Sequence, residues 1–471
     1  MQNYYISGIL SIKTLTFASI MMNWEQLLSN KRFGQEEGSG RRDDRSEFQR
    51  DFDRLIFSAP FRRLQNKTQV FPLPGTIFVH NRLTHSLEVS SVGRSLGNDV
   101  SRELLRRHPR LHATNVAEMG SIVSAACLAH DMGNPPFGHS GERAIGTFFS
   151  EGEGRKYRDM ICEETGDGLS EQQWNDLIHF EGNANAFRLL THQFRGRRKG
   201  GFVMTYATLA SIVKYPYSSL LAGAKGKFGF FQSEQADYEK IAAELGIEKR
   251  ENADGMDRFV RFPLVYLVEA ADDICYEIMD IEDAHKLKTL STEETQELLL
   301  AYFTPEQQAD IRMHLDQLED VNEKIVYLRS IAIGILETDC VRVFVENEEK
   351  ILAGEFKGSL IDHVAPILRT AYKNCVKTAY KKIYHTQIVV DIEISGYKVM
   401  TQLLELMCEA VTHSTNTYSQ ILLNRVSSQY DVLAPTLYGR LLSVLDYISG
   451  MTDVFALDLY RKINGISIAT V

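Results

Sequence analysis

"AEMGSIVSAACLAHDMGNPPFGHSGE", residues 117–142, is apolar at nearly every position up to Ala129 and then sets His130 and Asp131 side by side. A helix with no polar face belongs at the centre of a domain, so the first half of this stretch is expected to be fully buried. Ending it in ionisable groups is costly unless those groups are paired or bind a cation. The following "GNPPFG" is a rigid turn in which glycines supply unusual backbone angles and prolines limit freedom. It re-aims the chain so that His139 and Glu142 return toward the same place.

Outward from this stretch the pattern stays helical, with apolar residues at three- and four-residue spacing. "SEFQRDFDRLIFSAPFRRLQNKTQVF" opens on Ser46 as a candidate N-cap and carries Phe48, Phe52, Leu55 and Ile56 on one face, ending at a turn or short hairpin in "FPLPG". "NRLTHSLEVSSVGRSLGNDVSREL" aligns His85, Val89, Val92 and Leu96. "FPLVYLVEAADDICYEIMDIEDAHK" is expected to start with Pro263 in the first turn and to run more than five turns. Around 383–396, "KIYHTQIVVDIEISG" is rich in β-branched residues and is read as a small two-stranded element. The expected fold is therefore all-α with one such exception.

The chain has 471 residues, 44% apolar and 24% charged, which marks a globular protein rather than a disordered one. A formal charge of −10 argues against a generally basic nucleic-acid binder, although Lys and Arg cluster in "GRRDDR" (40–45) and "RGRRKGG" (195–201), read as solvated loops. Six scattered cysteines without a CxxC pair suit small buried hydrophobes in a reducing compartment. Residues 1–21 lack the basic start and cleavage pattern of a signal peptide and the unbroken span of a membrane helix. They are read as an extension ahead of a start at Met21 or Met22, and the expected location is cytoplasmic. The domain proper is expected to comprise a core over 22–290 and a plainer helical region over 291–471.

His85, His130, Asp131 and Asp272 are candidate ligands for one divalent cation. Imidazole and carboxylate donors without thiolates suit Mn²⁺ or Mg²⁺, with Fe, Co or Ni as alternatives, rather than a structural zinc. Taken singly, a histidine on an apolar face also serves as an ordinary core residue. Asp272, Tyr276 and Asp280 are spaced four apart and share a helix face, which lines either solvent or the same cavity. His139 and Glu142 are three apart at a helix start, close enough for a hydrogen-bonded dyad suited to general acid–base work on a phosphate ester.

The sequence strings "RRLQNKTQVFPL", "RLTHSLEVSSVGR", "LAHDMGNPPFGHSGE", "HFEGNANAFRLL", "TYATLASIVKYP", "AADDICYEIMDIEDA" and "DYISGMTDVFALDLYRKI" occur in this order. Together they resemble the bacterial deoxyguanosinetriphosphate triphosphohydrolases (dGTPases) of the HD phosphohydrolase superfamily, from about Trp24 to Ile466. H…HD…D alone is a weak signature; "HDMGNPPFGHSGE" and seven ordered blocks are strong.

The resemblance implies an all-α HD-domain fold and cleavage of a deoxynucleoside triphosphate (dNTP) to deoxynucleoside and tripolyphosphate. It implies metal ligation by His85, His130, Asp131 and Asp272, with His139 and Glu142 as catalytic pair. Triphosphate contacts are implied for Asn183, Lys214, Tyr215 and Lys227. Gln69 and Tyr276 would sit against the deoxyribose, with Asp280 nearby. Expected partners are dGTP or another dNTP as substrate, further copies of the chain, and single-stranded nucleic acid or a dNTP as effector, with no membrane. Two alternatives stand beside this reading: a phosphohydrolase for other nucleotides or nucleotide monophosphates, and a nucleotide- or nucleic-acid-regulated binding protein with a vestigial site.

Overall fold

A computed structural model describes residues 21–35, 44–71, 79–251 and 255–466. Among these the architecture is helical, with one two-stranded antiparallel ribbon, β1 (Lys249–Glu251) against β2 (Asp257–Phe259). The helices that build the site are α1 (Glu47–Ile56), α2 (Arg82–Arg107), α3 (Met119–Ala129), α4 (Gly138–Ser150), α5 (Gly182–Thr191), α6 (Tyr206–Ile212), α7 (Val265–Lys286), α8 (Pro366–Lys382), α9 (Gln387–Thr412), α10 (Leu437–Ser449) and α11 (Asp453–Ile463). No described helix is long and apolar enough to cross a membrane.

Local chemistry sets the helix starts. Ser46 accepts a hydrogen bond from the Gln49 amide and caps α1. Asn81 and Thr84 exchange side-chain and backbone bonds in a capping box that starts α2 three residues before His85. α3 is buried at every position but Ser121, as its sequence demands. It crosses α2 at close range because glycines meet there: a Cβ on Gly97 would lie 2.8 Å from Gly120 Cα, and one on Gly93 would lie 2.5 Å from Cys127 Sγ. Ser90 Oγ donates to the Ser124 carbonyl at 2.9 Å and locks the register of the pair. This contact brings His85 of α2 beside His130 at the end of α3.

Two apolar cores result. One joins α1, α2, α3, α6, α7 and α8; the other gathers side chains of α4, α9, α10 and α11. The turn from His130 to Gly138 passes from the first to the second, so the site lies along their seam. All six cysteines are free and buried, as small apolar residues would be.

Two expectations fail. Residues 387–412 form the helix α9 rather than a β element, because their apolar side chains pack on α4 and α10 instead of pairing as strands. Pro263 lies ahead of α7, whose first helical residue is Val265; the Val265 amide bonds the Phe262 carbonyl in a lead-in turn. The turn expected in "FPLPG" falls largely on residues 72–75, and "GRRDDR" largely on 40–43, both outside the described residues.

Candidate active site

α2, the end of α3 and α7 bring four candidate ligands together. Donor atoms of His85, His130 and Asp131 lie within 4.8 Å of one another. Asp272 Oδ1 lies 3.1 Å from His85 Nε2 and 3.5 Å from His130 Nε2. His130 donates Nδ1–H to the Cys127 carbonyl at 2.6 Å, which leaves the lone pair of a neutral ring on Nε2. That nitrogen is buried without a hydrogen-bond partner among the described residues. Burial disfavours charge on His130, but Asp131 and Asp272 outweigh it and raise its pKa to about 9. Burial opposes ionisation of Asp272 too, yet its histidine neighbours hold its pKa well below the usual carboxylate range. An orphaned imidazole nitrogen, converging carboxylates and a field that favours positive charge fit a divalent cation.

Arg82 and Asn134 hold Asp131 in place. Arg82, 2% exposed, donates to Asp131 Oδ2 at 2.8 Å, and Asn134 donates its side-chain amide to Asp131 Oδ1. The spacing of Arg82 three residues before His85 on one helix face is the signal that points to it. Glycine suits position 138 because its φ is 56°, in the left-handed region, and a Cβ there would also press within 2.5 Å of the Arg82 guanidinium.

A cavity of about 270 Å³ opens from the four ligands. Gln69, His139, Glu142, Asn183, Lys214, Tyr215, Lys227 and Tyr276 all line it, so these expected site residues share one space. Asp280 does not. It is 4% exposed, accepts a 2.7 Å hydrogen bond from Tyr384, and is covered by the segment that follows α8. Burial raises its pKa to about 7, opposed by that hydrogen bond. Two helical turns carry it beyond the cavity that Asp272 and Tyr276 face.

The lysines already have partners. Lys227 pairs with Glu181 at 2.7 Å and Lys214 with Glu269 at 3.0 Å. Glu181 is buried and also accepts from the Asn183 side chain at 2.8 Å. Burial, then the nearby Glu142 charge, raises the Glu181 pKa against the pull of Lys227. Sequence reasoning missed Glu181 and Glu269; each lies in one of the recognised blocks or beside it, but only the fold reveals its lysine.

His139 opens on three cavities, the one above and two neighbours. Burial, then the charges of Arg82 and Lys227, keeps its pKa below the ordinary imidazole value, so the ring is neutral at neutral pH. The expected hydrogen bond between His139 and Glu142 is not formed among the described residues: Glu142 Oε1 accepts from the Gly182 amide at 2.8 Å instead. The reason is local, because α5 begins at Gly182 and presents a free first-turn N–H to that carboxylate.

The HD domain model matches residues 82–178, which hold His85, His130, Asp131, His139 and Glu142. A phosphohydrolase-associated domain model matches residues 363–462. The chain is 38% identical to a deoxyguanosinetriphosphate triphosphohydrolase-like protein of Pseudomonas aeruginosa, over 95% of this chain and 99% of that one. It is 39% identical to one from Synechocystis, over 95% and 100%, and 30% identical to a deoxyguanosinetriphosphate triphosphohydrolase of Serratia proteamaculans, over 88% and 93%.

The chain belongs to the deoxyguanosinetriphosphate triphosphohydrolase family. It is an HD-domain hydrolase. Within this family frame Asp272 is notable for its position: it lies outside both matched segments, on α7, and reaches the HD residues through the packing of α7 on α2 and α3.

Proposed function

We propose that the protein hydrolyses dNTPs, with dGTP preferred, to deoxynucleoside and tripolyphosphate. The observation that carries this reading is a single cavity lined at once by the four candidate ligands, by Lys214 and Lys227, and by His139, Gln69 and Tyr276. The lining has five carboxylates (Asp131, Glu142, Glu181, Glu269, Asp272) against three fixed cations (Arg82, Lys214, Lys227). That balance favours added positive charge beside a triphosphate, of which a proton on His130 supplies only part. A divalent ion held by His85, His130, Asp131 and Asp272, Mn²⁺ or Mg²⁺ in the first instance, supplies Lewis-acid charge for the developing phosphate oxyanion.

The rest is the work of the chain. Lys214, Lys227, Tyr215 and Asn183 bind and orient the phosphates. Neutral His139 accepts a proton from the attacking water and returns it to the departing 5′-oxygen, which balances the cleavage. Tyr276 sits edge-on to His85, ring centres 6.2 Å apart, and fills the place where a 2′-hydroxyl would project. Gln69 Oε1 is buried without a partner among the described residues, and thus ready to accept from a sugar hydroxyl. The base extends into the adjoining cavity of about 600 Å³, which shares Gln69, His139 and Tyr276 and adds Tyr380, Tyr384 and His385.

A panel of dNTPs and NTPs with Mg²⁺, Mn²⁺ and Co²⁺, resolved for nucleoside and tripolyphosphate, tests the reading. Tripolyphosphate from dGTP above the other nucleotides is the expected result. Orthophosphate from the triphosphates would replace it with terminal-phosphate cleavage, and orthophosphate from added dGMP with monophosphate chemistry. Stoichiometric nucleotide binding without turnover would replace it with a binding role.

A further inference from the structure

Asp453 is the first residue of α11, 7% exposed, and lies in the phosphohydrolase-associated segment, far in sequence from every residue of the proposed chemistry. Its carboxylate takes three donors. Oδ2 accepts from the Thr68 amide at 2.8 Å and from the Thr68 hydroxyl, and Oδ1 accepts from the Phe137 amide at 2.9 Å. Thr68 precedes Gln69. Phe137 ends the turn that delivers His139 and is held at a φ of 61°, a left-handed conformation that side-chain-bearing residues rarely adopt.

A second tie runs beside the first. Lys67, 2% exposed, donates to the Asn134 carbonyl at 2.6 Å and to the Ser449 carbonyl at 2.7 Å. The end of α10 and the start of α11 thus grip both ends of the Asn134–Phe137 turn and the Lys67–Gln69 segment.

We propose that Asp453 is a positioning residue for the reaction, tying the segment that carries Gln69 to the turn that carries His139 and so fixing their separation across the cavity. This rests on the function proposed above. No other side chain among the described residues bonds both Thr68 and Phe137. A neutral amide cannot replace the carboxylate, because one of its two ends would present N–H to a backbone N–H that has no freedom to turn away.

Asp453→Asn keeps the size and is the test. Its kcat is expected to fall about 10- to 100-fold, the scale of a reacting group displaced by about an ångström. Mn²⁺ affinity should be retained. In a His139→Ala background the same substitution should cost less than about threefold, since its effect passes through His139. Asp458→Asn, which removes an exposed carboxylate paired with Lys462 on the same helix, is the control and should leave kcat unchanged. Hydrogen–deuterium exchange should show faster exchange at the Thr68 and Phe137 amides in Asp453→Asn, and this readout needs no turnover. Absence of dNTP cleavage by the wild-type protein would overturn the proposed function, while the exchange result would still judge the tie.

Equal losses in the wild-type and His139→Ala backgrounds, or unchanged exchange with wild-type kcat, would overturn the positioning role. If Asp453→Asn does not fold, Thr68→Val removes only the hydroxyl contact. It should lower kcat in the wild-type background and be silent in a Gln69→Ala background; equal losses in both would overturn the proposal.

Discussion

His130 gives its Nδ1–H to the carbonyl of Cys127, 2.6 Å away and one turn back along the chain. Because a carbonyl only accepts, this bond fixes which ring nitrogen carries the proton and which faces the cavity. The lone pair on Nε2 then points toward Asp131 and Asp272, at 3.6 and 3.5 Å. A proton and a divalent ion would compete for it.

That competition has a definite sign. The carboxylates raise the His130 pKa to about 9 against the cost of burial, so below that pH a cation must first displace a proton. Apparent Mn²⁺ affinity should therefore strengthen with rising pH, by about tenfold per unit between about pH 7 and pH 9, and level off above. Calorimetric titrations across this range check it. A flat profile would mean that His130 does not bind the metal through Nε2.

Removing any one of His85, His130, Asp131 or Asp272 as Ala should weaken Mn²⁺ binding by more than about tenfold and abolish metal-dependent turnover. For Asp131→Ala a drop in thermal stability should accompany the loss, because Arg82 would be left buried without its carboxylate. Near-wild-type rate at saturating metal in any one variant would take that residue out of the ligand set.

Tyr276 should govern the sugar rather than the metal. Tyr276→Ala opens space beside His85 and is expected to narrow the dGTP-to-GTP ratio of kcat/KM, with Mn²⁺ affinity retained. Lower activity with an unchanged ratio would count against this role.

Much of this site is legible in the sequence because its chemistry is dense and local. His130 and Asp131 interrupt an apolar helix, and the turn after them has few backbone solutions. Arg82 was missed although it shares a helix face with His85, because arginine at a helix start is also ordinary solvated surface. Asp280 was misplaced because four-residue spacing drifts around a helix, and a segment distant in sequence covers it through Tyr384. Residues 387–396 carry a strand-like composition, yet α9 is a helix: a Cβ on Gly396 would lie 2.7 Å from the Phe137 ring, a contact with the turn ahead of His139 that no local pattern encodes. The tie through Asp453 is of the same kind, written 316 residues from its Phe137 partner.

The last prediction concerns His139 and Glu142, which share the cavity without a direct hydrogen bond. General acid–base groups typically contribute about 10²–10⁴-fold in rate, or roughly 3–5 kcal/mol of barrier. His139→Ala should cost that much with Mn²⁺ affinity nearly intact, since the ring lies outside the ligand set. Glu142 has two possible duties: holding the Gly182 amide at the start of α5, and acting on His139 when substrate closes the gap. Glu142→Gln separates them, because its amide oxygen still accepts from Gly182 while the charge is gone. If Glu142 supports proton transfer, Glu142→Gln should approach the rate of Glu142→Ala, and either should add little in a His139→Ala background. If it only anchors α5, Glu142→Gln should be almost silent and Glu142→Ala should weaken nucleotide binding through the neighbouring Asn183. Single-turnover hydrolysis beside Mn²⁺ calorimetry in these variants distinguishes the two. Strictly multiplicative losses, or loss of metal together with His139, would end the view of the pair as one proton-transfer unit.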